Sequence, residues 1–418
     1  MDYYIVTDDY YMSSDFLKIK SIFNNNDKLY LIAKNSDRCT SEKNLPAFDK
    51  IFDLNIINLK NIEEIILDNS KKISEVRLAT RHEKCLLMLS EFRKKFNIPG
   101  SKENQIHPFV NKKIMKDMIS ENHIMAKYFF FEKENNSKLL TQYKCEIEEQ
   151  IPYPMFYKPV AGTTSIDAKK IENSTELDLF LKRKDHSPGG YLIEEYLDSE
   201  IMFECDSIIS NGEILISFVS RYSYPCTWFS KGYPAIVKTL SFNHEHYEKL
   251  ISLNKKIIQQ FSKKITIPNC VTHLEAMLMK NGDLKFIEIA ARPPGPVPFG
   301  SVELYKNIYD VHLEEIHLLL DFSIPVNVDI TDNKKNGAFL YFPNPEGYIK
   351  NFHKPSLNSS EIIYERINID YEKKYQKPFD LRRLSDNSCY ALGLLANSYD
   401  DLCKEIYFIE STIKIETH

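Results

Sequence analysis

The chain has no run of 18 uninterrupted apolar residues, so no segment is built to cross a bilayer as a helix. Its first residues, Met1-Asp2-Tyr3-Tyr4-Ile5-Val6-Thr7-Asp8-Asp9, carry neither a basic stretch nor an apolar core, and no secretory signal is expected. Cysteine never occurs as C-x-x-C; the eight lie at 39, 85, 145, 205, 226, 270, 389 and 403. That scatter gives no support to a zinc or thioredoxin-type pattern and fits reduced thiols in a cytoplasmic protein. A basic excess is also missing. Lysine and arginine number 54 against 59 acids, a net charge of −5, which argues against a nucleic-acid partner. Internal repeats and long low-complexity tracts are absent, and Asn24–Asp27 and Asn135-Asn136 read as ordinary loops.

What is present is a chain of 418 residues, 43% hydrophobic and 12% aromatic, enough for two to four domains with a large buried core. Tyr3–Val6 and Leu29–Ala33 are short apolar runs bounded by polar residues, as buried strands are. Lys84–Phe96 carries Leu86, Leu87, Leu89, Phe92 and Phe96 near helical spacing and stops at Ile98-Pro99-Gly100. Alternating strands and helices predict a parallel α/β layer here. The polar stretch at Gly100–His107 marks a boundary, and Asn327–Asn336 marks a second. The expected organisation is an α/β domain over 1–103, an α+β domain with hairpins over 104–325, and a small domain over 326–418. The last opens on Ala338–Phe342 and closes on a helical pattern around Asp400–Ile413.

The most informative segment is Thr272–Gly295. Asn281-Gly282 separates two alternating apolar runs and predicts a two-residue turn. Lys280 would then pair with Asp283, Met279 with Leu284, Met277 with Phe286, Glu275 with Glu288, and His273 with Ala290. Two carboxylates facing each other stand roughly 5 Å apart at Cβ and repel by about 3 kcal/mol at an effective dielectric near 20. A shared divalent cation removes that conflict, and Mg²⁺ favours one or two carboxylates plus substrate phosphates. The alternative is an exposed sheet face with two solvated acids. The apolar Met277, Met279, Leu284 and Phe286 favour a half-buried stripe instead, and Arg292 beyond the strand could meet a transferred phosphate or an oxyanion.

These residues carry a resemblance. Glu275, the hairpin, and Ile287-Glu288-Ile289-Ala290-Ala291-Arg292-Pro293-Pro294-Gly295 resemble the metal motif of the ATP-grasp superfamily, whose usual form is E-I-N-A-R-P-G-G. Upstream, Phe156-Tyr157-Lys158-Pro159-Val160-Ala161-Gly162-Thr163-Thr164-Ser165 resembles its K-P-x-x-G-x-x-S strand and phosphate loop. Leu192-Ile193-Glu194-Glu195-Tyr196-Leu197-Asp198-Ser199-Glu200 is similar to its adenine hinge, and Asn111-Lys112-Lys113-Ile114-Met115-Lys116 to its D-K-x-x-M-R helix start. Glu83 through Gly100 resembles the helix and turn that precede the grasp module, and Gly337–Tyr348 with Ala391–Ser398 resemble the closing small domain of amino-acid ligases. Bacterial L-amino-acid ligases and carnosine synthases are the subgroup it resembles most.

The resemblance implies an ATP-grasp fold with a Rossmann-like N-terminal domain and a small C-terminal domain that completes the site. It also implies an ADP-forming carboxylate–amine ligase that phosphorylates a small carboxylate, an amino acid, and passes the acyl group to an amine. ATP and Mg²⁺, or Mn²⁺, would be its cofactors, with no nucleic acid or membrane partner and a homodimer as the default. By the same resemblance Lys112, Lys158 and Ser165 bind phosphates, with Lys113 and Lys116 competing for the role of Lys112. Glu194, Glu195 and Leu197 line the adenine, with backbone groups making the contacts, and Glu200 reaches the ribose or the phosphate side. Glu275 and Glu288 bind metal; Ala290, where many relatives have Asn, leaves one metal or two open. Arg292 and Lys158 act in catalysis, and Arg292, Gly295 and Trp228 face substrate, Trp228 from a loop over Arg221–Leu240 whose aromatics could instead pack a core. His273, on the Glu275 face by register, either lines the site and meets substrate, orients a carboxylate, or is a packed, hydrogen-bonded histidine. The competing readings are an ATP-grasp ligase for formate or bicarbonate, a phosphotransferase on the same fold, and a non-catalytic nucleotide-binding module.

Overall fold

Both apolar runs of the N-terminal segment lie inside strands that run parallel. β1 (Asp2–Asp8) pairs with β2 (Lys28–Lys34) along its full length. With β3 (Lys50–Asp53) and β4 (Val76–Ala79) they form a parallel sheet in the order β3-β2-β1-β4. Both faces are covered, which is why its strands are apolar without alternation. Ile5 and Leu31 pack against Phe16 and Phe48, whereas Tyr4 and Ile32 pack against Ile62, Leu89 and Phe92. The helix Glu83–Lys95 matches the periodic stretch read from sequence. The computed structural model describes every residue except 133–138, 163–165, 332, 358 and 377–383.

A small antiparallel sheet follows, in the order β5-β8-β6-β7: β5 (Tyr128–Phe131), β6 (Met155–Pro159), β7 (Lys169–Ile171) and β8 (Tyr191–Glu195). The large sheet has eight strands: β9 (Met202–Ser210), β10 (Glu213–Tyr222), β11 (Ala235–Thr239), β12 (Cys270–Leu278), β13 (Leu284–Ala290), β14 (Asn336–Pro343), β16 (Glu361–Ile367) and β18 (Ser388–Ala396). Their order is β13-β12-β9-β10-β11-β14-β18-β16, so strands from either side of the Asn327–Asn336 stretch share one sheet. A three-stranded sheet of β15 (Gly347–His353), β17 (Lys374–Tyr375) and β19 (Lys414–Thr417) flanks it, with the predicted C-terminal helix at Tyr399–Thr412. Among the described residues no helix is long and apolar enough to cross a membrane.

The large sheet separates two environments by simple alternation. Phe203 and Cys205 of β9 and Leu274 and Ala276 of β12 face the helix Tyr247–Ser262, packing with Leu250, Ile257 and Phe261. Glu204, Asp206, His273 and Glu275 therefore point to the opposite face. Buried ion pairs join the N-terminal α/β layer to the helix Leu313–Asp321: Arg93 Nη2, from the helix Glu83–Lys95, lies 2.6 Å from Asp321 Oδ1, and Arg81, just after β4, pairs with Glu314. Gly100 is required at this joint. Its φ is +108°, and a Cβ there would stand 2.5 Å from Arg93 Nε.

The β12–β13 hairpin differs from the expected one at its tip. Met279 N donates to Asp283 O at 2.8 Å and Gly282 N to Met279 O at 2.9 Å, so Lys280-Asn281-Gly282 is a three-residue loop with Gly282 at φ +87°. The extra residue shifts the pairing by one: Leu278 faces Leu284, Met277 faces Lys285 and Ala276 faces Phe286. The expected partners Met279–Leu284 and Met277–Phe286 are thus wrong, and Asp283 pairs with Met279 instead of Lys280, which lies in the loop and sends its ammonium to Asp198. A bulge at Ile287 then restores the register, and Glu275 faces Glu288 and His273 faces Ala290 as expected. The physical reason is packing. Leu284 and Phe286 must join the helix-side core, and so must Ile289 and Ala291. Residues 286 and 289 are an odd number apart, so a regular strand cannot put both on one face. Leu284 and Phe286 accordingly do not share the face of the two acids.

Candidate active site

The polar face of β9, β12 and β13 carries two ladder rows. Glu204, Glu275 and Glu288 are cross-strand neighbours in one, and Asp206, His273 and Ala290 in the next. Cations close on the Glu288 end. Lys112 Nζ lies 3.3 Å from Glu288 Oε2 and donates to Gly162 O at 2.6 Å. Its helix starts there because Asn111 caps it, accepting from the N–H groups of Lys113 and Ile114. Burial raises the Glu288 carboxyl, but Lys112, Lys158 and Arg292 outweigh it and hold the group below the usual glutamate value.

Lys158 is the penultimate residue of strand β6 and is buried, with Nζ 2.9 Å from Glu194 Oε2. The other oxygen, Glu194 Oε1, lies 2.7 Å from Lys116 Nζ. Glu194 is therefore not a solvated strand-edge residue; its side chain bridges two buried lysines. Burial pushes Lys116 down and outweighs the pull of Glu194, whereas Glu194 itself is lowered because the two lysines overcome its burial. The three lysines part here: Lys112 meets Glu288, Lys116 meets Glu194, and Lys113 pairs outward with Asp117.

Arg292 is held from the N-terminal segment, its Nε 2.8 Å from Glu83 Oε2, while Nη1 donates to Pro293 O at 3.1 Å. Gly295 faces the same segment, with Tyr10 Oη 3.9 Å from where its Cβ would be. His273 is buried, Nδ1 lies 2.7 Å from Asp206 Oδ1, and Nε2 lies 3.6 Å from Glu275 Oε1. Leu197 is buried, Glu195 half-buried and Glu200 exposed. Trp228 is stacked with Tyr224 and tilted against Tyr233, and Lys231 lies over its ring. In the same turn, burial and the charges of Glu275 and Glu204 push the Cys226 thiol up. Ser165 lies outside the described residues.

Sequence reasoning missed Glu83, Glu204, Asp206, Tyr222, Ser301 and Tyr305. Glu204 and Asp206 had a signal: acids two apart in the apolar run Met202–Ser210 share one strand face. Glu83 had none, because it meets Arg292 from 209 residues away.

Residues 120–262 match the family described as D-ala D-ala ligase C-terminus. An L-arginine-specific L-amino acid ligase of Bacillus subtilis is 27% identical over 286 residues, 63% of this chain and 64% of that relative. The chain spans less than two thirds of the length of the curated relatives it matches. The structure of an L-amino acid ligase from Bacillus licheniformis superposes with a TM-score of 0.69 at 14% identity, over 100% of this chain and 98% of that one.

The chain has the ATP-grasp fold.

A second ATP-grasp likeness is the biotin carboxylase domain of the Hydrogenobacter thermophilus 2-oxoglutarate carboxylase, solved with MgADP and bicarbonate. It has a TM-score of 0.64 at 14% identity, over 99% of this chain and 90% of that one. The ATP-grasp match over 120–262 contains Lys158 and Glu194 but ends before Glu275, Glu288 and Arg292.

Proposed function

We propose that this chain is an ATP- and Mg²⁺-dependent ligase that joins the carboxylate of one amino acid to the amine of another, releasing ADP and phosphate. The observation that carries it is the meeting of the Glu275–Glu288 pair with Lys112, beside the buried Lys158–Glu194 pair. The donor set suits Mg²⁺: two hard carboxylates on facing strand positions, with lysines next to them ready for phosphate. Mn²⁺ would be accepted by the same oxygens. When bound, the metal supplies charge neutralisation at the nucleotide phosphates.

The residues divide the work. Lys112 and Lys158 would neutralise the phosphates of ATP as point charges, and the side chain of Glu194 would keep Lys158 in place between transfers. Glu194 to Leu197 would bound the adenine. The substrate carboxylate would attack the γ-phosphate, giving an acyl phosphate and ADP, a step that depends on positioning and charge. The amine would then attack the acyl carbon, phosphate would leave, and Arg292, anchored by Glu83, would stabilise the tetrahedral oxyanion. The amino-acid ligase likenesses support amino acids as substrates.

An ADP-release screen with pairs of amino acids, followed by mass spectrometry of the products, tests this. ADP release that needs two amino acids and yields a dipeptide supports it. Release driven by bicarbonate or formate, or a phosphorylated product with no amine incorporated, overturns it.

A further inference from the structure

Behind the carboxylate of Glu275 stands a chain of buried polar groups that touches neither Lys112 nor Lys158. Asp206 has no exposed surface, and both its oxygens are used: Oδ1 meets His273 Nδ1 at 2.7 Å, and Oδ2 accepts from Tyr305 Oη at 2.9 Å. Tyr305 Oη is itself 2.8 Å from Ser220 Oγ. The imidazole is thereby fixed in the plane that aims Nε2 at Glu275 Oε1, 3.6 Å away. Strand register brings the three together, because His273 and Asp206 are direct ladder partners and Glu275 is two residues along the same face.

Glu204, Asp206 and His273 are close enough together to suggest a cation site of their own. Their partners speak against it. Ser301 Oγ and Tyr222 Oη donate to the two oxygens of Glu204, just as His273 and Tyr305 serve Asp206. A cation there would compete with hydrogen bonds already made by every one of the four carboxylate oxygens in a buried space. The cluster is built as a rigid support whose free end is His273 Nε2, and that end faces one oxygen of Glu275.

We infer that Asp206 and His273 are positioning residues for metal binding, holding one oxygen of the Glu275 carboxylate so that the other is presented to the divalent cation. This rests on the reading of Glu275 as a metal ligand. A ligating carboxylate is ordinarily oriented by an outer partner, and loss of such a partner weakens metal affinity by about 10–100-fold. Here the partner is an imidazole, and its own orientation is set by Asp206 and, one step further out, by Tyr305.

The test measures Mn²⁺ binding to the full chain with saturating ADP, by loss of the free-ion electron paramagnetic resonance signal. His273→Gln and Asp206→Asn are each expected to weaken Mn²⁺ by about 10–100-fold. Tyr305→Phe should weaken it less and in the same direction, and ADP affinity in EDTA should stay at the wild-type value in all three. Mn²⁺ affinity within twofold of wild type in His273→Gln overturns the inference, even if turnover falls, because His273 would then act on substrate or fold alone. Should Asp206→Asn fail to fold, His273→Gln decides by itself, since it leaves the Tyr305–Asp206 bond in place. Glu275→Gln separates the two levels. If it binds Mn²⁺ like wild type, the metal-ligand reading falls and this inference with it. If it loses Mn²⁺ while His273→Gln does not, only the inference falls.

Discussion

Glu83 Oε2 lies 2.8 Å from Arg292 Nε, so the first turn of the helix Glu83–Lys95 grips the guanidinium that follows strand β13. Glu83→Gln removes the charge and keeps the shape. It should cost about 1 kcal/mol, toward the low end of the penalty for a charged group that loses its partner, because Arg292 is only half-buried. Turnover should fall with it, and Glu83→Asp should restore part of both. Thermal unfolding and steady-state ADP release read the two effects. Wild-type turnover in Glu83→Gln would show that Arg292 needs no anchor.

The proposed nucleotide contacts separate by variant. Glu288→Gln should abolish turnover in a folded protein, whereas Lys158→Ala should weaken ATP binding. Calorimetry with ATP reads the second, and unchanged affinity would remove Lys158 from phosphate binding. An active Glu288→Gln enzyme would remove Glu288 from the metal role.

The Lys116–Glu194–Lys158 group carries two cations on one buried carboxylate. Charge balance predicts an asymmetry. Lys116→Met leaves one cation with one anion and should keep or raise the melting temperature. Glu194→Gln leaves two buried ammonium groups facing each other and should destabilise by about 3–5 kcal/mol. Equal melting temperatures for the two variants would mean that the lysines do not depend on Glu194.

Burial pushes the Glu303 carboxyl up to about 7 from its usual 4.5, with Ser13 opposing and Glu314 adding. The folded chain then binds more protons than the unfolded chain between those values. Stability from this group is highest below pH 4.5 and declines as pH rises through 7, by about 3 kcal/mol in total. Glu303→Gln should flatten that decline. Melting temperatures from pH 5 to 8 check it, and an unchanged profile in the variant would assign the decline to other groups.

Gly282 sits at φ +87° with open space around its missing Cβ. Gly282→Ala should therefore cost only the backbone penalty, about 1 kcal/mol, with ADP release unaffected. A loss of several kcal/mol would mean that the loop cannot hold its shape without glycine.

The facing pair Glu275–Glu288 was legible because alternation and an Asn-Gly reversal are local, but it was reached by two compensating deviations. The loop is one residue longer than a two-residue turn, and the bulge at Ile287 absorbs the difference. The phase change was present in the sequence, with Phe286 and Ile289 an odd number apart, yet only packing against the helix Tyr247–Ser262 shows that both belong to one core. The lysines were legible as motifs, but their order was not. Nothing local distinguishes Lys113, which turns outward to Asp117, from Lys116, which turns inward to Glu194.

By itself the sequence determined the parallel N-terminal layer, the hairpin that carries two acids, and the lysine-bearing strand and helix start, because periodicity and turn chemistry act over a few residues. Only the tertiary structure decided that Glu83 anchors Arg292, that Glu194 is shared by two lysines, and that Asp206 and Tyr305 stand behind His273. Those contacts join residues from 36 to 209 positions apart, and a distance of that kind is set by how sheets and helices pack, which no local pattern encodes.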